Sequence, residues 1–478
     1  MSLPAGWEMV IGLEVHAQLR CRSKIFCACP TGFGGEANSR TCPVCLGMPG
    51  ALPVLNRRVA DMAALLGLAV GSQVAKRSKL ARKNYFYPDL PRGYQISQYD
   101  EPLCAGGSIE IPVEDGRRKI ALTRIHIEDD SGKSIHLEGR SLVDLNRCGT
   151  PLAEIVSEPD MRSPEEAHEY LVRLRQLLIC LGICDGNMEE GSLRCDANVS
   201  VRRVGETELG QRTELKNLNS FRAVSASIAF EAERQVALIE AGGEVEKQTL
   251  LWDAHARESR PLRGKEESRD YRYFPEPDLL AIHMDKETLA ALEQSLPELP
   301  LDRLERLMRE QGLSFYEADI LTRESSMADY FEKLVSICGN ARSATRWMLG
   351  ELARQLNERS LDITTLSLTP KALAELIKLE DEGRLSGLAA KTIFEKMLVE
   401  GGKAEEWMKR LDLVQLSDAK QIATLVDEVL EANPGELERY RSGQKKLFGF
   451  FVGEAMAAAR GKADPKEISR LLRERLEA

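Results

Sequence analysis

Three short stretches of this chain alternate residue by residue, and each gathers acids, imidazoles or guanidiniums on one side. Gly12–Arg20 sets Glu14, His16, Gln18 and Arg20 against Leu13, Val15, Ala17 and Leu19. Arg124–Asp130 sets Arg124, His126, Glu128 and Asp130 against Ile125 and Ile127. Arg194–Arg202 sets Arg194, Asp196, Asn198, Ser200 and Arg202 against Cys195, Ala197, Val199 and Val201. A period of two puts each polar set on one face of a strand. Asp and Asn are poor strand formers, so their presence in strand centres asks for a chemical reason. Magnesium takes hard oxygen ligands and bridges to phosphates. Glu14, Glu128, Asp130, Glu154, Glu190 and Asp196 could supply such ligands, with His16 beside them. Arg124, Arg194, Arg202, Lys83 and Lys133 could steady phosphate oxygens. For any one strand a solvated sheet face is the simpler account; three strands with the same feature favour a working surface.

A second constellation is Cys27-Ala-Cys29 followed by Cys42-Pro-Val-Cys45. Four thiolates close a tetrahedral site, and soft ligands favour zinc, here in a structural role with no open position. The alternatives are four reduced cysteines in a loop or a redox role for Cys42 and Cys45, the latter lacking a thioredoxin-like context. Gly132-Lys133-Ser134 imitates part of a phosphate-binding loop, but position 127, where the motif needs glycine, is Ile. ATP, if used, is held without that device. Arg82–Tyr94 and Tyr271–Asp278 interleave basic and aromatic residues, a texture that suits either stacking on an unpaired nucleic-acid end or a loop tucked onto the core. Glu-Pro-Asp occurs twice, at 158–160 and 276–278.

The elements that must carry these residues follow from composition and pattern. The chain has 478 residues, 43% of them hydrophobic and 29% charged, which suits two or three soluble domains. A net charge of −10 argues against a general nucleic-acid coat protein but leaves room for local basic clusters at Lys76–Lys83 and Arg439–Lys446. The start of the chain lacks a signal-peptide pattern and no apolar run is long enough for a bilayer, so a cytoplasmic location without membrane contact is expected. Eleven cysteines in such a chain do not suggest a disulfide framework. Short alternating segments fill the first 290 or so residues, interrupted by helical patterns at Arg57–Leu68, Pro164–Leu181 and Ser220–Ala241. After Pro297–Pro300 nearly everything is helical, including one long pattern over Ala341–Leu356, and Gly401-Gly402 marks a further break before a tail with four helical patterns. The expected fold class is α+β, a largely antiparallel sheet domain followed by two all-α domains, with bounds 1–295, 296–402 and 403–478.

Several segments together resemble a known family. Ile11-Gly-Leu-Glu-Val-His16, Arg82–Asp89, Tyr94–Gln98, Ser141–Arg147, Glu189–Asn198, Leu215–Phe221 and Asp270–Asp278 closely resemble the B subunits of aspartyl/glutamyl-tRNA amidotransferases, in order and over essentially the whole chain. Gly443–Lys446 and Phe448–Gly453 resemble the helical domain that ends these subunits. The resemblance implies a sheet domain shaped as a cradle of the glutamine synthetase/guanido-kinase type. It implies use of ATP and Mg2+ to phosphorylate the side-chain carboxylate of Glu-tRNA(Gln) or Asp-tRNA(Asn). An amidase-type A subunit, in a heterotrimer with a small C subunit, would supply ammonia for the amide. Glu14, His16, Glu128 and Glu154 fall at the family's cradle metal site and are the expected catalytic and magnesium-binding residues, with Asp129 and Asp130 extending the cluster. Strand-face logic assigns Lys83, Arg124, Asp130, Arg194 and Asp196 to ATP or acyl-phosphate contacts. Only some relatives carry the cysteine quartet, so zinc at Cys27, Cys29, Cys42 and Cys45 rests on this sequence. The tail, with Lys445 and Lys446, is expected to touch tRNA. Two other readings compete: a non-catalytic tRNA-binding scaffold, and a stand-alone ligase for a small carboxylate. The intact Glu14–His16 pair and acidic run speak against the first, and the helical tail against the second.

Overall fold

The computed structural model describes residues 3–113, 116–262, 270–413, 419–459, 463 and 465–477. They form two compact units, Met1–Pro300 and Leu301–Ala478. The first is built on a ten-stranded mixed sheet. Its centre runs Thr213–Leu218, Leu193–Arg203, Trp7–Gln18, Pro151–Ser157, Gly116–Asp129. Among the described strands one pairing is parallel, Thr213–Leu218 with Thr249–Asp253. All three alternating stretches therefore share a sheet, but they are not consecutive. Pro151–Ser157 lies between the first and the second, and its run of buried residues carries no period of two.

One face of this sheet is the core. Leu13, Val15, Ala17, Ile125, Ile127, Ala197 and Val199 are at most 1% exposed. Each of the Leu, Val and Ile side chains removed from water contributes roughly 1.5–3 kcal/mol, the two alanines less. Helices Arg57–Ala69, Pro164–Cys180 and Phe221–Glu240 supply the other wall of the same core. Asn56, Ser163 and Ser220 start them, each side-chain oxygen accepting from a backbone N–H of the first turn. The first helix lies so close to the sheet that a Cβ at Gly67 would overlap Cys104 Sγ. With helices on one face only, the polar face with Glu14, His16 and Gln18 stays half-buried. Arg20 lies beyond the strand end and is exposed, contrary to its placement on that face.

The second unit is helical, and its described residues form two apolar cores. One gathers residues from Leu304 to Met408 around Phe331, Trp347 and Phe394, the other residues from Ile422 to Leu476 around Phe451. The single long helix expected over Ala341–Leu356 is instead Ala341–Trp347, a π-helical turn at Met348–Leu352, and Ala353–Arg359. Among its described residues the tail carries five α-helices rather than four: Ala404–Arg410, Ala419–Ala432, Pro434–Arg441, Phe448–Ala458 and Pro465–Glu477. Residues 414–418, 460–462 and 464 of that tail lie outside the described residues. No helix among the described residues is long and apolar enough to cross a membrane.

Candidate active site

Strand register builds the site row by row. His16 pairs with Arg194 on one side and Glu154 on the other, and Glu154 pairs with His126. Directly paired residues point to the same face, so Arg194, His16, Glu154 and His126 form one row. The next row is Asp196, Glu14, Val156 and Arg124; on the other side Leu152 faces Glu128. His16 Nε2 lies 3.2 Å from Glu154 Oε2 and 3.4 Å from Glu128 Oε1. His126 Nε2 is 3.4 Å from the same Glu154 oxygen. His16, Glu128 and Glu154 each offer a ligand atom within 4.8 Å of the others, which a cation could bridge. Glu14 stands in the neighbouring row outside that trio, accepting from Asn198 Nδ2 at 3.0 Å.

The electrostatics of this cluster are set by buried acids packed against two imidazoles. Burial, then Glu154, Glu214 and Asp196, push the Glu14 carboxyl above its usual range, against the Asn198 hydrogen bond. Burial would lower His16, but Glu154 and Glu128 outweigh it and raise it. His126 rises to about 9 because Glu154 and Glu128 again outweigh burial. Burial works to raise Glu128 and Glu154, yet the imidazoles hold both below the carboxylate range. Arg124 Nε lies 3.3 Å from His126 Nδ1.

Among the described residues, two sizeable cavities open on this face. The smaller, about 260 Å³, is lined by His16, Glu128, Asp130, Lys83, Arg194 and Asp196, together with Tyr85 and Gln95. The larger, about 350 Å³, takes Glu14 as a wall with Val10, Val156, Pro159, Ser200 and Arg212. The charged chemistry converges on the smaller one. Asp130 accepts from Arg194 at 2.8 Å and Gln18 Nε2 at 3.3 Å, with Arg147 at 3.5 Å. Arg194 Nε is buried there without a hydrogen-bond partner. Burial would lower the Lys83 ammonium, but Glu128 and Glu154 raise it, keeping it charged beside the acids. Its Nζ sits 4.9 Å from the Tyr271 ring centroid, where Tyr85 and Tyr273 complete an aromatic wall.

Other sequence candidates lie elsewhere. Asp129 does not extend the cluster: alternation turns it to the opposite face, where it pairs with Arg92 and accepts from Ile96 N–H at 2.8 Å. Arg202 pairs with Glu8 at the far end of its strand. Lys133 and Glu190 are exposed outside the cavity. Both Glu-Pro-Asp motifs are structural: Asp160 accepts from Ala121 N–H at 3.0 Å, and Glu276 takes both Nε and Nη2 of Arg82. In the first basic cluster, Glu101 pairs with Arg77 and Lys79. Lys445 and Lys446 are exposed, with Lys445 Nζ 4.3 Å from the Tyr440 ring centroid. Sequence reasoning missed Arg147 and Lys216, and did not carry His126 into the site although it stands on the same alternating face. Lys216 bridges Asp196 at 2.7 Å and Glu214 at 2.9 Å. The alternation of Glu214 and Lys216 was the available signal for it.

The cysteine quartet converges as its spacing requires. Cys27, Cys29, Cys42 and Cys45 Sγ all lie within 4.8 Å of one another. The Cys27 contact, with help from Lys24, lowers Cys45 to about 4, so a thiolate is already favoured at the centre. Burial and Cys42 raise Cys29 to about 11. Four sulfurs at this separation, with a buried ammonium against one of them, fit a soft divalent ion.

A sheet covered by helices on one side, with acids, imidazoles and cations gathered on the other, is the catalytic part of an amidotransferase: residues 9–290 match the GatB/GatE catalytic domain, and residues 329–476 match the GatB domain. The B subunit of the aspartyl/glutamyl-tRNA(Asn/Gln) amidotransferase of Chlorobium phaeobacteroides is 53% identical over 98% of this chain and 99% of its own. Proteins of the same name from Chlorobaculum tepidum and Oleidesulfovibrio alaskensis are 52% and 51% identical, each over 99% of this chain and 100% of their own. The chain belongs to the family of aspartyl/glutamyl-tRNA(Asn/Gln) amidotransferase B subunits.

Proposed function

We propose that this chain performs the carboxylate-activating half of tRNA-dependent amidation. A side-chain carboxylate oxygen of glutamate on tRNA(Gln), or aspartate on tRNA(Asn), attacks the γ-phosphorus of ATP, and ADP leaves. Ammonia then attacks the acyl carbon, phosphate leaves, and the nitrogen sheds a proton to give the amide. The observation that carries this reading is the His16–Glu128–Glu154 trio in a cavity shared with Lys83, Arg194 and Asp130. A carboxylate is a poor electrophile, and two anions must meet, so fixed positive charge is the largest catalytic contribution. Lys83 and Arg194 would bind the transferring phosphate oxygens, with Arg124 and the Lys216–Asp196 pair flanking them. Glu14, His16, Glu128 and Glu154 would hold magnesium, which when bound neutralises phosphate charge. Glu14, accepting from Asn198 in the neighbouring row, would complete that set. Tyr85, Tyr271 and Tyr273 would keep water from the acyl phosphate. The larger cavity, with its apolar walls, suits the nucleoside half of ATP. Gly12 and His16 are about 13 Å apart along an extended strand, room for base and terminal phosphate on one face.

The same reading extends to the rest of the chain. Region 1–295 would be the cradle, of the glutamine synthetase/guanido-kinase type; 296–402 a helical domain; and 403–478, with Lys445 and Lys446, a tRNA-contacting tail. An amidase-type A subunit and a small C subunit would release ammonia from glutamine in the cytoplasm, and zinc would occupy the cysteine quartet. The test is an assay with mischarged tRNA, ATP and glutamine or ammonia, with and without the amidase partner, following ATP cleavage and amide together. Amide formation coupled to ATP cleavage supports the reading. Tight tRNA binding with no ATP cleavage by the complete complex would favour the scaffold instead.

A further inference from the structure

Lys24 is fully buried, an unusual place for an ammonium. Its Nζ has three donors and meets three acceptors: Arg40 O at 2.8 Å, Cys45 Sγ at 3.3 Å and Leu145 O at 3.3 Å. Two belong to the cysteine-bearing loop and the third to the segment that follows Asp144. These two segments are stitched together around it. Arg40 N donates to Asn146 Oδ1 at 2.8 Å, Leu145 N to Asn38 Oδ1 at 2.8 Å, and Asn146 Nδ2 to Glu36 O at 2.7 Å. The Leu145 segment in turn holds the wall of the charged cavity. Gly149 N donates to Asp130 O, and Asp130 N to Thr150 O, both at 2.8 Å. Arg147 donates to Ser131 O at 3.0 Å and Gly132 O at 2.6 Å, with its Nε 3.5 Å from the Asp130 carboxylate.

We propose that Lys24 is a positioning residue that joins the metal-binding knuckle to the Leu145–Thr150 loop and thereby sets Asp130 in the active cavity. A divalent ion on four thiolates keeps two net negative charges, and a buried ammonium against one sulfur offsets part of that cost. The same ammonium commits its remaining protons to both segments, so a filled knuckle and an ordered loop favour each other. Arg147 completes the link as a second positioning residue. The proposal rests on the reading of the quartet as a zinc site and of the cavity as catalytic.

Lys24→Met tests it in the full chain, because Met keeps the apolar stem and removes all three donors. Zinc affinity, measured by competition with a chromophoric chelator, should fall on the order of 10–100-fold. Amide hydrogen exchange over Leu145–Thr150 should speed by at least about tenfold while the central strands stay protected. In the complete enzyme kcat should fall with little change in KM for tRNA. Wild-type zinc affinity and wild-type exchange in Lys24→Met overturn the proposal. If that variant does not fold, chelator-stripped wild-type chain must show the same faster exchange over Leu145–Thr150, and unchanged exchange overturns it equally. A carefully reduced wild-type chain that binds no zinc removes the knuckle itself, an outcome distinct from an indifferent Lys24.

Discussion

The imidazoles of His16 and His126 hold Glu128 and Glu154 below the ordinary carboxylate value, while burial, helped by acidic neighbours, pushes Glu14 above it. These residues make the sharpest predictions. Glu128→Ala or Glu14→Ala should lower amide formation by at least about 100-fold, the scale of losing one electrostatic stabiliser. tRNA affinity, measured by filter binding, should stay within a few-fold. The protons on the cluster give a second prediction. With His16 raised above its ordinary value, a cation entering the trio must expel its proton. Magnesium affinity should therefore increase as pH rises through the ordinary imidazole range, up to about tenfold per unit for each proton displaced, and go on rising until His16 and His126, the latter raised to about 9, have lost their extra protons. Because Glu128 and Glu154 are depressed, they contribute no dependence in that range. Titrating magnesium at several pH values checks this; a flat profile would place the metal elsewhere.

At the scale of elements, the strand that completes the site is Pro151–Ser157. It pairs with Trp7–Gln18 on one edge and Gly116–Asp129 on the other, and so brings Glu154 between His16 and His126. Ile155, fully buried on its core face, fixes which way Glu154 points. Ile155→Ala should cost about 2–5 kcal/mol in denaturant unfolding, as for other buried aliphatic truncations. A loss below about 1 kcal/mol would mean the strand is less anchored than its burial implies. The three alternating strands were legible because one side of each faces the core and the other the cavity. The Pro151–Ser157 strand was not, because nearly all its residues are buried and the period of two disappears. Glu154 stood among the candidate oxygen ligands, but only the family resemblance set it beside Glu14, His16 and Glu128. Asp129 shows the same rule in reverse: adjacent acids on a strand cannot share a face. The paired roles of Arg82 and Arg202 depend on Glu276 and Glu8, distant in sequence, so no local pattern announced them.

For the whole molecule, the sheet unit carries the chemistry and the helical unit has no acid–imidazole cluster of metal-binding geometry among its described residues. The change of texture near Pro297–Pro300 was readable, because a shift from two-residue to helical periodicity needs no tertiary information. The π turn at Met348–Leu352 was not, since its sequence continues a helical pattern. Removing residues 403–478 should weaken use of mischarged tRNA at least about tenfold while ammonia-dependent ATP cleavage with saturating substrate falls less. Equal loss of both would make the tail a structural part. The central claim, that the His16–Glu128–Glu154 face activates the tRNA-bound carboxylate, is tested most directly by one measurement. Mischarged tRNA, ATP labelled at the γ-phosphate and free ammonia are incubated with the complete enzyme carrying wild-type chain or Glu128→Ala, and phosphate release and amide are counted together. The account predicts one phosphate released per amide with wild type, and loss of both in Glu128→Ala with tRNA still bound. Near-normal amide formation by Glu128→Ala would contradict it.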